Sequence, residues 1–231
     1  MAIFHNCDQY SSEWYALRMG IPTASCFDQI VTPAKGDLSK AHRKYAYRLV
    51  YERLLHMPTQ SLDGIEHMER GKELEPAAVR QYEFGEEIET KPIGFVTTDD
   101  GRIGASPDRL LVGRPAALEI KCPLGHTHVG YLLDGRGVEY TPQIQGQLYV
   151  CELEYVDFYS YHPQMPPVLV RTHRDEAYIR KLAVALDDFC AILDEMTARA
   201  QAMGVFMVME KRQTPMDAEL REFPLNPLAA C

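Results

Sequence analysis

The sequence predicts an α/β fold in which helices precede and follow a run of short strands gathered into one mixed sheet. Three observations predict it. Residues 93 to 121 break into short β-branched or apolar runs, punctuated by Asp99-Asp100-Gly101 and Gly113-Arg114-Pro115. Segments 40–57 and 175–200 repeat apolar residues at helical spacing. The chain has 231 residues, 46% hydrophobic and 25% charged, an ordinary globular balance that can bury a core without disulfides or a structural metal.

Taken in order, residues 40–57 place Tyr47, Val50, Tyr51, Leu54 and Leu55 on one helical stripe, with basic residues opposite and Pro58 as the stop. A second helix is expected over about 66–84, where Pro76 requires either a start near Glu73 or a kink. Strands follow at 93–98, 102–106, 109–112 and 116–121, reading as an antiparallel meander. A helix at 141–152, strands at 155–161 and 167–172, and a helix at 175–200 with Ile179, Leu182, Leu186, Phe189, Leu193 and Met196 on one stripe complete the pattern. No repeat, low-complexity tract or linker divides the chain, so it reads as a single domain over 1–231. Its core spans about residues 10–200, with a tail at 205–231.

The 24 Lys and Arg against 33 Asp and Glu give a formal charge of −9. The surface as a whole cannot attract polyanions, so any nucleic-acid site must be a local basic groove. Six cysteines (Cys7, Cys26, Cys122, Cys151, Cys190 and Cys231) form no CxxC pair. That argues against a zinc ribbon or iron–sulfur cluster and for reduced thiols. The N-terminal segment lacks a basic-then-apolar leader, and no stretch approaches the roughly 20 apolar residues of a membrane span. The expected location is the cytoplasm.

The segment richest in chemistry is Ser106-Pro107-Asp108, ten further residues, then Glu119-Ile120-Lys121. Side chains alternate along a strand, so Glu119 and Lys121 share a face. Flanked by Ala117, Leu118 and Ile120, this strand reads as internal, where an acid and an amine on one face need a reason. Asp108 brings a second carboxylate within reach. Two carboxylates, the Ile120 carbonyl and water make a hard oxygen site suited to Mg²⁺, with Mn²⁺ as a substitute. One such ion would stabilise charge on a phosphodiester and a second would activate water, with Lys121 orienting that water. By itself, an acid-x-lysine is more often a same-face salt bridge. No Walker motif, GxGxxG or Ser-His-Asp arrangement stands out, and the His126–His128 pair reads as an incidental loop feature.

The blocks Trp14–Ser25 (WYALRMGIPTAS), Gly71–Ala77 (GKELEPA), Gly104–Asp108 (GASPD), Leu118–Pro123 (LEIKCP) and Pro142–Tyr149 (PQIQGQLY) resemble the phage lambda exonuclease (YqaJ-type viral recombinase) family. Five blocks in order span about residues 10–150, whereas the C-terminal 80 residues match only in element order. The resemblance implies a PD-(D/E)xK restriction-endonuclease-like core, a central mixed β-sheet flanked by helices. It also implies metal binding by Asp108, Glu119 and the Ile120 carbonyl, catalysis by Lys121, and a further acid, Glu75, that reaches the metals directly or through water. Gln143 matches the family's glutamine beyond the lysine strand, with Gln145 or Gln147 as the alternative.

For DNA ends, the resemblance assigns Arg18, Ser25 and Ser106 to a 5′-phosphate pocket, and Trp14 reads as core packing. The basic helix face (Lys40, Arg43, Lys44 and Arg48), with Lys35, is the candidate backbone-contacting wall. The activity implied is Mg²⁺-dependent 5′-to-3′ digestion of linear double-stranded DNA by a homotrimeric ring. Its 3′ overhangs would pass to a single-strand-annealing protein, in a phage- or prophage-encoded system of a bacterial cell. The rival readings are an endonuclease or junction resolvase on the same fold, and a non-catalytic DNA-end-binding scaffold.

Overall fold

The structure, a computed structural model, describes residues 1–59 and 65–204, so the predicted tail at 205–231 and Cys231 lie outside the described residues. The main sheet has five strands in the order β2 (Thr90–Pro92), β5 (Arg109–Leu111), β6 (Ala116–Lys121), β7 (Tyr155–Ser160) and β8 (Val168–His173). All its pairings are antiparallel except β6 with β7, which makes the sheet mixed as predicted. The sequence reading differs from the structure over residues 93–106. Instead of joining this sheet, β3 (Phe95–Thr97) pairs with β1 (Ile3–His5) on one side and β4 (Gly104–Ala105) on the other, in a separate three-stranded antiparallel sheet. Pro107 follows within two residues of β4 and has no N–H to carry a ladder onward, so the chain starts a new sheet at β5.

Parallel strands need a long crossover. Here it is made by α4 (Gly125–Asp134) and α5 (Thr141–Val150). The second was predicted, and Pro142 sits in its first turn, where the missing N–H costs nothing. The first falls where the sequence reads as loop, because Leu124 supplies no side-chain cap and glycines open and interrupt the helix. On it, His128 is fully buried, its Nδ1 2.7 Å from Ser160 Oγ and its Nε2 2.9 Å from the Pro166 carbonyl. The carbonyl can only accept, so Nε2 carries the proton and the Ser160 hydroxyl donates to Nδ1. The HxH pair is thus a helix feature with one structural member.

One face of the main sheet is covered by α5, the 3₁₀ segment Ala24–Gln29, α2 (His42–Leu55) and α6 (Glu176–Ala202). The other face is covered by α3 (Ile65–Glu86) through Ala78 and Tyr82. α6 starts where Asp175 caps the backbone N–H groups of Ala177 and Tyr178, and it buries Ile179, Leu182, Leu186, Phe189 and Leu193 from the predicted stripe. α3 runs through Pro76 without ending there. α2 is rotated from the predicted stripe. Tyr45, Ala46, Leu49, Val50 and Leu54 are buried, whereas Tyr47 and Tyr51 face solvent. Tyr45 stacks on Phe189 of α6 at 5.5 Å, and an exposed tyrosine loses little because its hydroxyl prefers water.

Gly146 fixes how close α5 comes to the 3₁₀ segment. A Cβ there would lie 2.4 Å from Phe27 Cδ2, and Phe27 is fully buried. Gly146→Ala is therefore expected to destabilise the protein by about 1–3 kcal/mol, measurable as a lower denaturant midpoint. An unchanged midpoint would mean that the seam is looser than drawn.

Candidate active site

Alternation along β6 sends Leu118 and Ile120 toward α3 and leaves Glu119 and Lys121 on the face toward α5. Glu119 is only 2% exposed, and its oxygens are held by three donors. Lys121 Nζ and Gln143 Nε2 each lie 2.6 Å from Oε1, and Gln147 Nε2 lies 2.6 Å from Oε2. Residues 143 and 147 are one helical turn apart, so both reach the same carboxylate. Gln145 points elsewhere, donating to the His173 carbonyl and accepting from Asp175 N. Of the three glutamines weighed from the sequence, two therefore meet the acid and one ties α5 to the start of α6. Asp108, on the turn before β5, accepts from Ile120 N through Oδ2 at 2.6 Å. It takes a β6 donor just beyond the ladder that β5 makes with Ala117 and Leu118.

Burial, and next the nearby Glu119 charge, hold the Asp108 carboxyl well above the usual carboxylate range, against the pull of Lys121. Glu75, half-buried on α3, is also raised by burial; Arg109 lowers it and Glu119 raises it. Burial works against the Lys121 ammonium, but Glu119 and Asp108 outweigh it and push the group above its ordinary value. Lys121 stays charged, so it is a donor and not a base. Negative charge accumulates here beyond what one ammonium balances, the condition under which a hard cation is welcome. Among the described residues, no three His, Cys, Asp or Glu side chains enclose an ion by themselves.

A second cluster is cationic. The Arg18 guanidinium lies 4.0 Å over the Trp14 ring and donates to Thr23 Oγ1 at 3.5 Å; the Thr23 and Ser25 hydroxyls are 3.4 Å apart. Ser25 is exposed. Trp14 is buried, as expected of core, and donates from its indole to Ser106 Oγ at 3.1 Å. Ser106 in turn donates to the Gly94 carbonyl at 2.5 Å. Its hydroxyl thus links Trp14, on which Arg18 lies, to the β3 side of the site. Arg48, expected on the outer wall, turns inward instead. It lies 4.6 Å over Tyr45 and donates to Cys26 Sγ at 3.3 Å, while its Nε is buried without a partner. Arginine three residues after tyrosine on a helix is the signal that would have revealed this turn. Lys35, Lys40, Arg43 and Lys44 are all exposed, the first in a turn before α2 and the others at its start.

A mixed sheet whose inner strand carries an acid and a lysine on one face, with a second acid from the preceding turn, defines a PD-(D/E)xK-type nuclease fold. A family model of the YqaJ-like viral recombinase domain matches residues 13–154, and the chain belongs to that family. No curated protein sequence matches significantly. Among solved structures, the chain is similar to the alkaline exonuclease LHK-Exo from Laribacter hongkongensis. The match has 28% identity over 85% of this chain and 100% of that one, at a TM-score of 0.75. The complex of LHK-Exo with dAMP matches at 0.76. A phage-related exonuclease from Haemophilus somnus 129PT shares the fold, at 15% identity over 78% of this chain and 96% of that one, with a TM-score of 0.64. No described helix is long and apolar enough to cross a membrane.

Proposed function

We propose that this protein is a Mg²⁺-dependent 5′-to-3′ exonuclease that digests linear double-stranded DNA and leaves 3′ single strands for annealing recombination. The observation that carries this reading is Glu119, held at 2.6 Å by Lys121, Gln143 and Gln147, with Asp108 beside it. Kinship with LHK-Exo supports it. That enzyme has been solved with dAMP, and a nucleoside monophosphate is the kind of unit that stepwise cleavage releases. Asp108 and Glu119 would hold the cation, with the Ile120 carbonyl and water oxygens completing its shell and Glu75 reaching it directly or through water. Bound divalent ions, two per site on this reading, would supply Lewis acidity and positive charge for the phosphate. Lys121 and Gln143, both on Glu119, orient a water toward phosphorus.

Arg18 and Ser25 would take the 5′-phosphate. Arg18 is held edge-on by Thr23 and flat by Trp14, which leaves its other N–H groups for phosphate oxygens. Lys35, Lys40, Arg43 and Lys44 would run along the duplex backbone. A net charge of −9, with four exposed basic residues clustered between Lys35 and Lys44, suits a homotrimeric ring that is positive within and negative without. Light scattering would test the trimer.

The test of the activity uses 5′-phosphorylated linear duplex with Mg²⁺, the same duplex with EDTA, and a closed circle. Mononucleotides are expected from the 5′ ends in the first sample and nothing from the other two. Nicked circles would favour an endonuclease, and metal-independent end binding without cleavage would favour a scaffold.

A further inference from the structure

Between the carboxylates and the Arg18 cluster lies Tyr10, an exposed aromatic in a backbone conformation that aromatics avoid. It occupies the third position of a turn closed by Ser11 N donating to the Asp8 carbonyl at 3.2 Å, and its φ is +68°. Glycine or asparagine is the usual occupant of such a position, and a bulky side chain there is strained. The turn is pinned on both sides. Gln9 donates to the carbonyls of Ile93 at 3.0 Å and Pro107 at 2.9 Å, the latter next to Asp108. Ser11 caps α1 (Ser12–Arg18), the helix that delivers Arg18. Strain kept at a site this well determined calls for a use of the side chain.

The position indicates the use. Tyr10 packs 5.3 Å from Trp14, centroid to centroid, and Trp14 carries the Arg18 guanidinium. The Gln9 bond to the Pro107 carbonyl sets this turn beside Asp108, and burial, followed by the Asp108 and Glu75 charges, raises the Tyr10 phenol. A 5′-terminal nucleotide with its 5′-phosphate at Arg18 and its scissile phosphate at Asp108 and Glu119 must lay its nucleoside across whatever joins the two subsites. Trp14 is 5% exposed and offers no face, whereas Tyr10 is 40% exposed. The Lys72 ammonium lies 4.1 Å over the Tyr10 ring, so a base that stacks there must displace it, and a neighbouring phosphate is the natural partner of the freed charge.

We propose that the Tyr10 ring is the platform for the base of the 5′-terminal nucleotide, with Lys72 pairing to a neighbouring phosphate. This rests on the exonuclease reading above. Stacking is tolerant of base identity, so the platform accepts all four bases and senses only whether a base is present.

The test is a double cycle in the full-length protein, reading single-turnover release of a labelled 5′-terminal nucleotide from duplexes whose first nucleotide is normal or abasic. Wild type is expected to slow about tenfold on abasic ends. Tyr10→Gly should be about tenfold slower on normal ends and indifferent to base loss, and Tyr10→Phe should match wild type. Glycine relieves the turn, so Tyr10→Gly should melt no lower than wild type, which separates a binding defect from misfolding. If Tyr10→Gly keeps the full wild-type sensitivity to base loss, or Tyr10→Phe falls as far as Tyr10→Gly, the platform is overturned while the exonuclease reading stands. A wild-type protein that releases nothing from any linear duplex overturns both.

Discussion

Lys121→Ala is expected to slow digestion of linear duplex by about 10²–10⁴-fold, the usual scale for losing a positioned proton-transfer or water-orienting group. The fold should survive the change. The Lys121 side chain is 27% exposed, so water can reach the space it vacates. Glu119, though nearly inaccessible, keeps Gln143 on one oxygen and Gln147 on the other. A buried carboxylate with two amide donors is far less costly than one left bare. Lys121→Arg should not restore activity, because a planar fork must displace Gln143 from the oxygen it shares with the ammonium. Cleavage rates and thermal melts of the two variants, run beside wild type, check this. Undiminished cutting by Lys121→Ala would remove the lysine from the mechanism, and a collapse in melting temperature would make it a structural residue.

The part of this site that could be read from sequence is the part carried by periodicity. Two-residue alternation puts Glu119 and Lys121 together whatever the rest of the chain does. An apolar strand of Ala, Leu and Ile can only be internal, as β6 is between β5 and β7. The long α6 and the β7–β8 pair were equally legible, because each buries a whole stripe or face. What escaped depended on packing between elements distant in sequence. The rotation of α2, which brings Arg48 inward and leaves Tyr47 and Tyr51 outside, goes with the stacking of Tyr45 on Phe189, 144 residues later in the chain. The separate sheet formed by β1, β3 and β4 needed the pairing of Ile3–His5 with Phe95–Thr97, which no local pattern announces. Gln147 was indistinguishable from Gln143 and Gln145 until helix phase and the position of β6 were both known. Tyr10 was invisible for a different reason: its signal is a backbone angle, and the sequence Gln-Tyr-Ser carries no mark of positive φ.

On the far face of the sheet, Arg171→Ala is expected to destabilise the protein by about 3–5 kcal/mol and Asp157→Ala by less. Asp157 is fully buried on β7. It accepts from Arg171 Nε on one oxygen and Nη2 on the other, both at 2.8 Å, and from the Tyr82 hydroxyl at 2.6 Å. Arg171 is the residue directly opposite it on β8, and Tyr82 comes from α3. One carboxylate therefore ties α3, which carries Glu75, to β7 and β8. The asymmetry between the variants follows from what each leaves behind. Without Arg171, a carboxylate with no exposure has lost its cation and two donors. Without Asp157, the Tyr82 hydroxyl loses its acceptor, but the stranded charge is a guanidinium 37% exposed, which can recover water, keeps Glu86 at 3.9 Å and still lies 4.3 Å over the Tyr155 ring. Water screens the exposed arginine and lowers the cost of leaving it unpaired. Replacing both residues by hydrophobic ones of similar size, Asp157→Leu with Arg171→Met, should cost less than Arg171→Ala alone, because no charge is stranded. For a chain of this size, each kcal/mol corresponds to roughly 2–4 °C in Tm, so calorimetry resolves the order. If Asp157→Ala proved the worse of the pair, the carboxylate would not be the group that burial holds hostage, and α3 would owe its seat on the sheet to the apolar contacts of Ala78 and Tyr82 instead.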